Sequence, residues 1–211
     1  MKYSSQIINI ILACALLILA IKVTLLDSSA GKETVSVKTN DALENILTRR
    51  SVRSFTEQAI PEAKIDTLLR AAMSAPTARN TQPWAFVVIT DKNTLKQLAE
   101  ELPYGKMIAQ APLAIVACGD LPKGIKGYGD GYWVQDVSAA TENLLLAAHA
   151  MGLGAVWTGV FPVPERIESV KRILSLPDSI TPLNVIPVGY PANPGVVKDK
   201  YKPENIRYQK W

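Results

Sequence analysis

Arg49-Arg50-Ser51-Val52-Arg53-Ser54-Phe55, followed about twenty residues on by Ala75-Pro76-Thr77-Ala78-Arg79-Asn80-Thr81-Gln82-Pro83-Trp84, is the pair of stretches on which the reading of this chain turns. The first packs three guanidiniums into five positions. Guanidinium forks match phosphate oxygens, so the cluster suits an anion clamp. The plainer alternative is a solvated helix end, where arginine is favourable. The second stretch carries the polar groups of Thr77, Asn80 and Gln82 between two prolines. A rigid loop of that kind suits the polar edge of a flat heteroaromatic ring; a helix-terminating loop is the bland reading. Between the two, Pro61 fits a first helical position, and Ile65, Leu68, Leu69, Ala72 and Met73 give one apolar helix face. Trp84 reads as core.

Outward from these segments, Leu43, Ile46 and Leu47 give residues 41–48 helical spacing. Residues 85–90 form a compact apolar strand, 92–102 an amphipathic helix and 113–118 a second buried strand. Glycines at 119, 124, 127, 129 and 131 mark residues 119–131 as a mobile loop. Residues 132–151 make a long helix, apolar nearly all round in its second half and therefore central. A strand at 155–158, an amphipathic helix at 164–174 and a last strand at 184–188 follow, then a polar tail with Lys198, Lys200 and Lys202. This order lacks a β-α-β repeat, and no Gly-x-Gly-x-x-Gly follows the first strand. The fold class is α+β, a sheet with helices packed on it, without a Rossmann dinucleotide site.

A chain of 211 residues with 48% apolar and 20% charged residues builds one globular core. A net charge of +4, dispersed along the chain, argues against nucleic acid. Two cysteines, Cys14 and Cys118, and one histidine, His149, make no metal-ligand spacing. His149 on its apolar helix reads as a satisfied core residue. Asp130 and Asp136 form a carboxylate pair by spacing alone. Nucleophile elbow, Walker loop and zinc motif are all absent from the sequence, so an enzyme built on it needs a cofactor for the hard chemistry.

The N-terminus has its own logic. Residues 10–21 are apolar without a break, and 7–26 covers twenty positions if Asn9, Lys22 and Thr24 are tolerated. A bilayer core takes roughly 20 helical residues. Ser28-Ser29-Ala30 before Gly31 would instead serve as a signal cleavage site. Residues 1–30 are therefore expected to be a signal peptide or a membrane anchor, 31–40 a linker and 41–211 the folded domain. The domain is then exported to the periplasm or tethered to the membrane through residues 7–26.

Four motifs in order resemble the nitroreductase-like flavoprotein family: the two opening segments, Gly152-Leu153-Gly154-Ala155-Val156-Trp157-Thr158-Gly159, and Val188-Gly189-Tyr190-Pro191 with the lysines beyond it. The resemblance runs from about residue 41 to 206. It implies a mainly antiparallel sheet flanked by helices, an intertwined homodimer, and FMN bound at the dimer interface with NAD(P)H as electron donor. Carried over by position, Arg49, Arg50, Ser51 and Arg53 hold the phosphate and the pyrimidine edge, with Arg53 near flavin N1 and O2. A fixed cation there favours the reduced, negatively charged ring. Pro76, Thr77, Ala78 and Asn80 reach the flavin from the partner subunit, and Gln82 also binds the cofactor. Trp157, Thr158 and Gly159 line the isoalloxazine, and Lys200 and Lys202 complete the phosphate site.

The implied reaction is ping-pong hydride transfer through flavin N5, from NAD(P)H to a nitroaromatic, a quinone or a similar small acceptor, with no side chain as nucleophile. Residues 119–132 and Phe161 are the expected lid, with Tyr128 and Tyr132 as substrate contacts. Two alternatives remain open at this point: other reduced-flavin chemistry, such as dehalogenation or flavin breakdown, and a membrane-tethered flavin-binding protein without turnover.

Overall fold

The computed structural model describes residues 16, 17, 22, 41–125, 127, 131–193 and 195–211. The signal or anchor expected at 1–30 (three residues apart) and the linker at 31–40 lie outside the described residues, as do Tyr128, Gly129 and Asp130. Among the described residues, no helix is long and apolar enough to cross a membrane. The elements below all belong to the unit at residues 40–211.

In chain order they are α1 (Asp41–Thr48), α2 (Glu62–Met73), β1 (Trp84–Ile89), α3 (Lys92–Glu101), β2 (Leu113–Asp120), α4 (Gly131–Ala150), β3 (Gly154–Ala155), β4 (Thr158–Gly159), α5 (Pro164–Leu174) and β5 (Ile180–Gly189). The five strands form one sheet in the order β1-β2-β5-β3, with β4 also on β5, and every pairing within it is antiparallel. The α+β expectation holds.

Period-two alternation on the central strands divides the core. Ile115, Ala117, Ile186 and Val188 pack with Leu68 and Ala72 of α2 and with Val137, Ala140 and Leu144 of α4. Ala114, Val116, Cys118 and Val185 pack with Leu95 and Leu98 of α3 and Val170 of α5. Helices cover both faces, so β2 is an unbroken apolar run rather than an alternating one. Desolvation at this depth pushes the Cys118 thiol up to about 12.

Several expectations need correction. β5 is twice the length expected at 184–188, because Pro182 reads as a break in its first half; Pro182 pairs with Cys118 beside a register shift in β2. The strand expected at 155–158 is two short strands, split at Val156 and Trp157. Pro61 caps α2 in an extended conformation, ψ 141°, one residue before the first helical position. Gly119 is no loop residue: it pairs with Trp84 in the sheet, under the ring of Trp133. Phe161, expected as part of a lid, is half-buried and packs edge-on against Trp133, with ring centroids 5.0 Å apart.

Candidate functional site

Residues 51–56 run as an extended ribbon between β3 and the chain leaving β5. The Val52 amide donates to the Ala155 carbonyl (3.0 Å), the Thr56 amide to Tyr190 (2.9 Å), and the Ala192 amide to Ser54 (3.0 Å). Val52 and Phe55 point inward at 4% and 8% exposure, while Arg53 is exposed between them. The motif glycines seat the ribbon. A Cβ on Gly154 would stand 2.6 Å from Val52, and one on Gly189 would stand 2.9 Å from Phe55 Cδ1. Three of the four motifs are thus one packed unit.

The three arginines separate. Arg49 at the end of α1 pairs through Nε with Glu142 Oε1 of α4 at 2.9 Å. Arg49 and Arg50 both lie near His149, whose pKa is lowered first by desolvation and then by these two cations. His149 is half-buried rather than core, with Nε2 3.0 Å from Thr48 Oγ1. The apolar run around it hid its position on the helix side that meets α1.

Arg53 opens onto a cavity of about 420 Å³, together with Trp157, Thr158 and Gly159. The first and third motifs therefore meet in one chain. The Trp157 side chain is 38% exposed, a flat apolar surface beside the cation. Thr158 is 6% exposed, and its buried hydroxyl has no hydrogen-bond partner. Such a group is costly unless something pairs with it. A cation, an indole and an unpaired hydroxyl around one cavity suit an aromatic ligand that carries negative charge and hydrogen-bonding atoms.

The sequence reading missed two parts of this wall. Arg166, in the first turn of α5, lines the cavity and donates from Nη1 to the Gly159 carbonyl at 3.2 Å. The signal was available: Pro164 starts a helix just after the third motif, so its first turn folds back on it. Pro103, Tyr104 and Met107, between α3 and β2, close another side. Tyr104 has φ 62° and is 90% exposed, which no spacing pattern announced.

The second segment lies elsewhere. None of Pro76, Thr77, Ala78, Asn80 or Gln82 lines the Arg53 cavity. They form a tight turn at Ala78–Asn80, with Arg79, Asn80 and Gln82 all in the left-handed region (φ 54°, 55° and 48°). The Ala78 amide donates to Asp136 Oδ1 of α4 at 2.9 Å. Lys200 and Lys202 are exposed on the tail and also miss the cavity. The tail passes close to the ribbon, since a Cβ on Gly195 would stand 3.9 Å from the Ser51 carbonyl. A larger cavity of about 610 Å³, by Phe55, Ile60 and Pro112, holds none of the expected site residues.

The sequence profile of the Nitroreductase family matches residues 46–103 and 99–190. A relative from Methanothermobacter thermautotrophicus, named a candidate NADH dehydrogenase/NAD(P)H nitroreductase, is 45% identical over 177 residues, covering 81% of this chain and 88% of its own. A crystal structure of a protein so named from Parabacteroides distasonis superposes with a TM-score of 0.78 at 48% identity, covering 82% of this chain and all of that one. A candidate nitroreductase in complex with FMN from Desulfovibrio desulfuricans gives a TM-score of 0.71 at 30% identity, covering 82% of this chain and 99% of that one. The chain belongs to the nitroreductase family.

Proposed function

We propose that this protein is an FMN-dependent oxidoreductase that takes electrons from NAD(P)H and delivers them to a small acceptor such as a nitroaromatic or a quinone. The observation that carries the reading is the Arg53 cavity, where a guanidinium, the Trp157 indole and the unpaired Thr158 hydroxyl converge. Relatives named as FMN reductases and as an NADPH nitroreductase support the same reaction class.

When bound, FMN supplies reversible two-electron transfer. The chain supplies the setting for it. Arg53, which lines the cavity, would hold positive charge near the part of the ring that becomes negative on reduction. Trp157, which lines the cavity, would shield the bound ring from water, and Arg166 fixes that wall through the Gly159 carbonyl. Arg50 and Ser51, with Lys200 and Lys202 from the tail, would hold the phosphate, and Arg49 would support them from its ion pair with Glu142.

The working unit is a homodimer. Asn80 and its loop are absent from the Arg53 cavity of the same chain, so in this reading they complete the site of the partner. Surface apolarity favours the same state. α1 buries none of its residues and exposes Ile46 (54%) and Leu47 (60%), while Tyr208 and Trp211 on the tail are 79% and 99% exposed.

Isolating the full chain and measuring its flavin content and NAD(P)H oxidation tests the reading. One FMN per chain, with oxidation accelerated by a nitroaromatic or quinone, is expected; a chain that binds no FMN overturns it. Flavin with no turnover supports the binding-only alternative. Mixing Arg53→Ala and Asn80→Ala chains should restore one intact site per heterodimer, and no recovery in proven heterodimers removes the shared site. For the apolar N-terminus, we propose export or tethering of the domain. Recovery of the full chain in the cytosolic fraction overturns that.

A further inference from the structure

We propose that Asp136 is the positioning residue that holds the loop at residues 77–82 in its site-forming conformation. Three non-glycine residues of this loop, Arg79, Asn80 and Gln82, are left-handed. Such strain persists only where the surroundings over-determine it. Much of the loop's bonding is internal. The Asn80 amide donates to the Thr77 carbonyl (3.1 Å), the Thr81 amide to Ala78 (3.2 Å), the Gln82 amide to Thr77 Oγ1 (3.2 Å) and Gln82 Nε2 to Asn80 Oδ1 (3.0 Å). These bonds fix the loop's shape but not its place. The loop's C-terminal end is held where the Asp120 amide donates to the Pro83 carbonyl (2.8 Å), and its middle is tied to α4 by Asp136, which accepts the Ala78 amide across 58 positions of sequence.

Asp136 is 5% exposed on the helix with the most buried residues, and its buried Oδ2 has no hydrogen-bond partner. Trp133, Val137 and Ala140 around it on α4 are apolar and buried. An apolar residue at 136 would pack there without a desolvation cost but could not accept the amide. The consequence for flavin binding rests on the proposed function: Asn80 and Gln82 reach the flavin only if the loop stands where Asp136 holds it.

Amide hydrogen exchange of residues 77–82 in the flavin-free full chain tests the anchor. Asp136→Ala should speed exchange by about tenfold or more, whereas Asp136→Asn, which keeps an acceptor oxygen, should stay within about threefold of the parent. Asp136→Leu replaces the alanine if that chain does not fold. Thr141→Val, which disturbs the buried Asn184–Thr141 bond on the same helix, should leave the loop unchanged. Unchanged exchange in both Asp136→Ala and Asp136→Leu, or equal loss in Thr141→Val, overturns the proposal. FMN titration separates the two ideas. A loosened loop with about tenfold weaker FMN supports both, and a loosened loop with unchanged FMN affinity supports the anchor but removes the loop from the flavin site. An unchanged loop with weaker FMN overturns the anchor.

Discussion

Val52 fills the space that a side chain on Gly154 would need: an added Cβ would stand 2.6 Å from both Cβ and Cγ1 of Val52. With the Val52 amide bonded to Ala155, this contact locks the ribbon against β3 and sets Arg53 beside the cavity. Gly154→Ala should therefore cost about 1–3 kcal/mol by overpacking. It should also weaken FMN binding by displacing Arg53. Combining it with Val52→Ala should recover part of the loss, and the coupling in a denaturant double-mutant cycle should be about 1 kcal/mol. Strict additivity would mean that the two positions do not share the strain.

This contact shows what was legible in the sequence and what was not. The motifs mark residues 49–55, 152–159 and 188–191 as signatures, but that they pack as one unit, with Gly154 and Gly189 as seats for Val52 and Phe55, is legible only in the fold. Helices with clear periodicity were placed to within a residue, as with Pro164–Leu174. β5 was half hidden because Pro182 reads as a break, although it lies beside a register shift. The cavity's other side was invisible at Tyr104, which arrives from a chain segment whose approach depends on the sheet, whereas Arg166 was within reach of the sequence through Pro164. Asp136 stands out in the sequence only by its spacing to Asp130, which lies outside the described residues; its role as the acceptor for Ala78 depends on the fold.

The unpaired hydroxyl of Thr158 makes a prediction with opposite signs in two states. Thr158→Val keeps the shape and removes a buried polar atom without a partner. The flavin-free protein should hold its stability or gain up to about 1 kcal/mol. FMN affinity should fall severalfold, because the ligand loses a hydrogen-bonding group in the wall. Thermal melts with and without FMN read both effects, and a loss of stability in the flavin-free chain would refute the account of Thr158.

His149 sets a pH dependence. Its pKa lies below the usual 6.5 in the fold, through desolvation and then Arg50 and Arg49. The unfolded chain therefore takes up the proton first as the pH falls. Stability from this group is complete above about 6.5 and is lost as the pH drops from there through the folded value. Melts between pH 7.5 and 5 should show a steeper loss in the parent than in His149→Asn. Added salt should flatten only the part due to the arginines. Identical profiles for the two chains would place the source of any acid sensitivity elsewhere.

Arg53 is the sharpest test of the site, because its charge is exposed while its neighbours Val52 and Phe55 hold the ribbon. Arg53→Gln should leave the melting of the flavin-free protein nearly unchanged, as an exposed substitution does. FMN affinity should fall by about 10–100-fold, the scale of a lost hydrogen bond to a charged group. The midpoint potential of the bound flavin should move negative, since the cation beside the reduced ring is gone. Arg53→Lys keeps the charge without the planar fork and should fall between the two in affinity while holding most of the potential. Flavin titration and spectroelectrochemistry read these separately. If Arg53→Gln weakens binding only in proportion to lost stability, the residue supports the ribbon and not the cofactor.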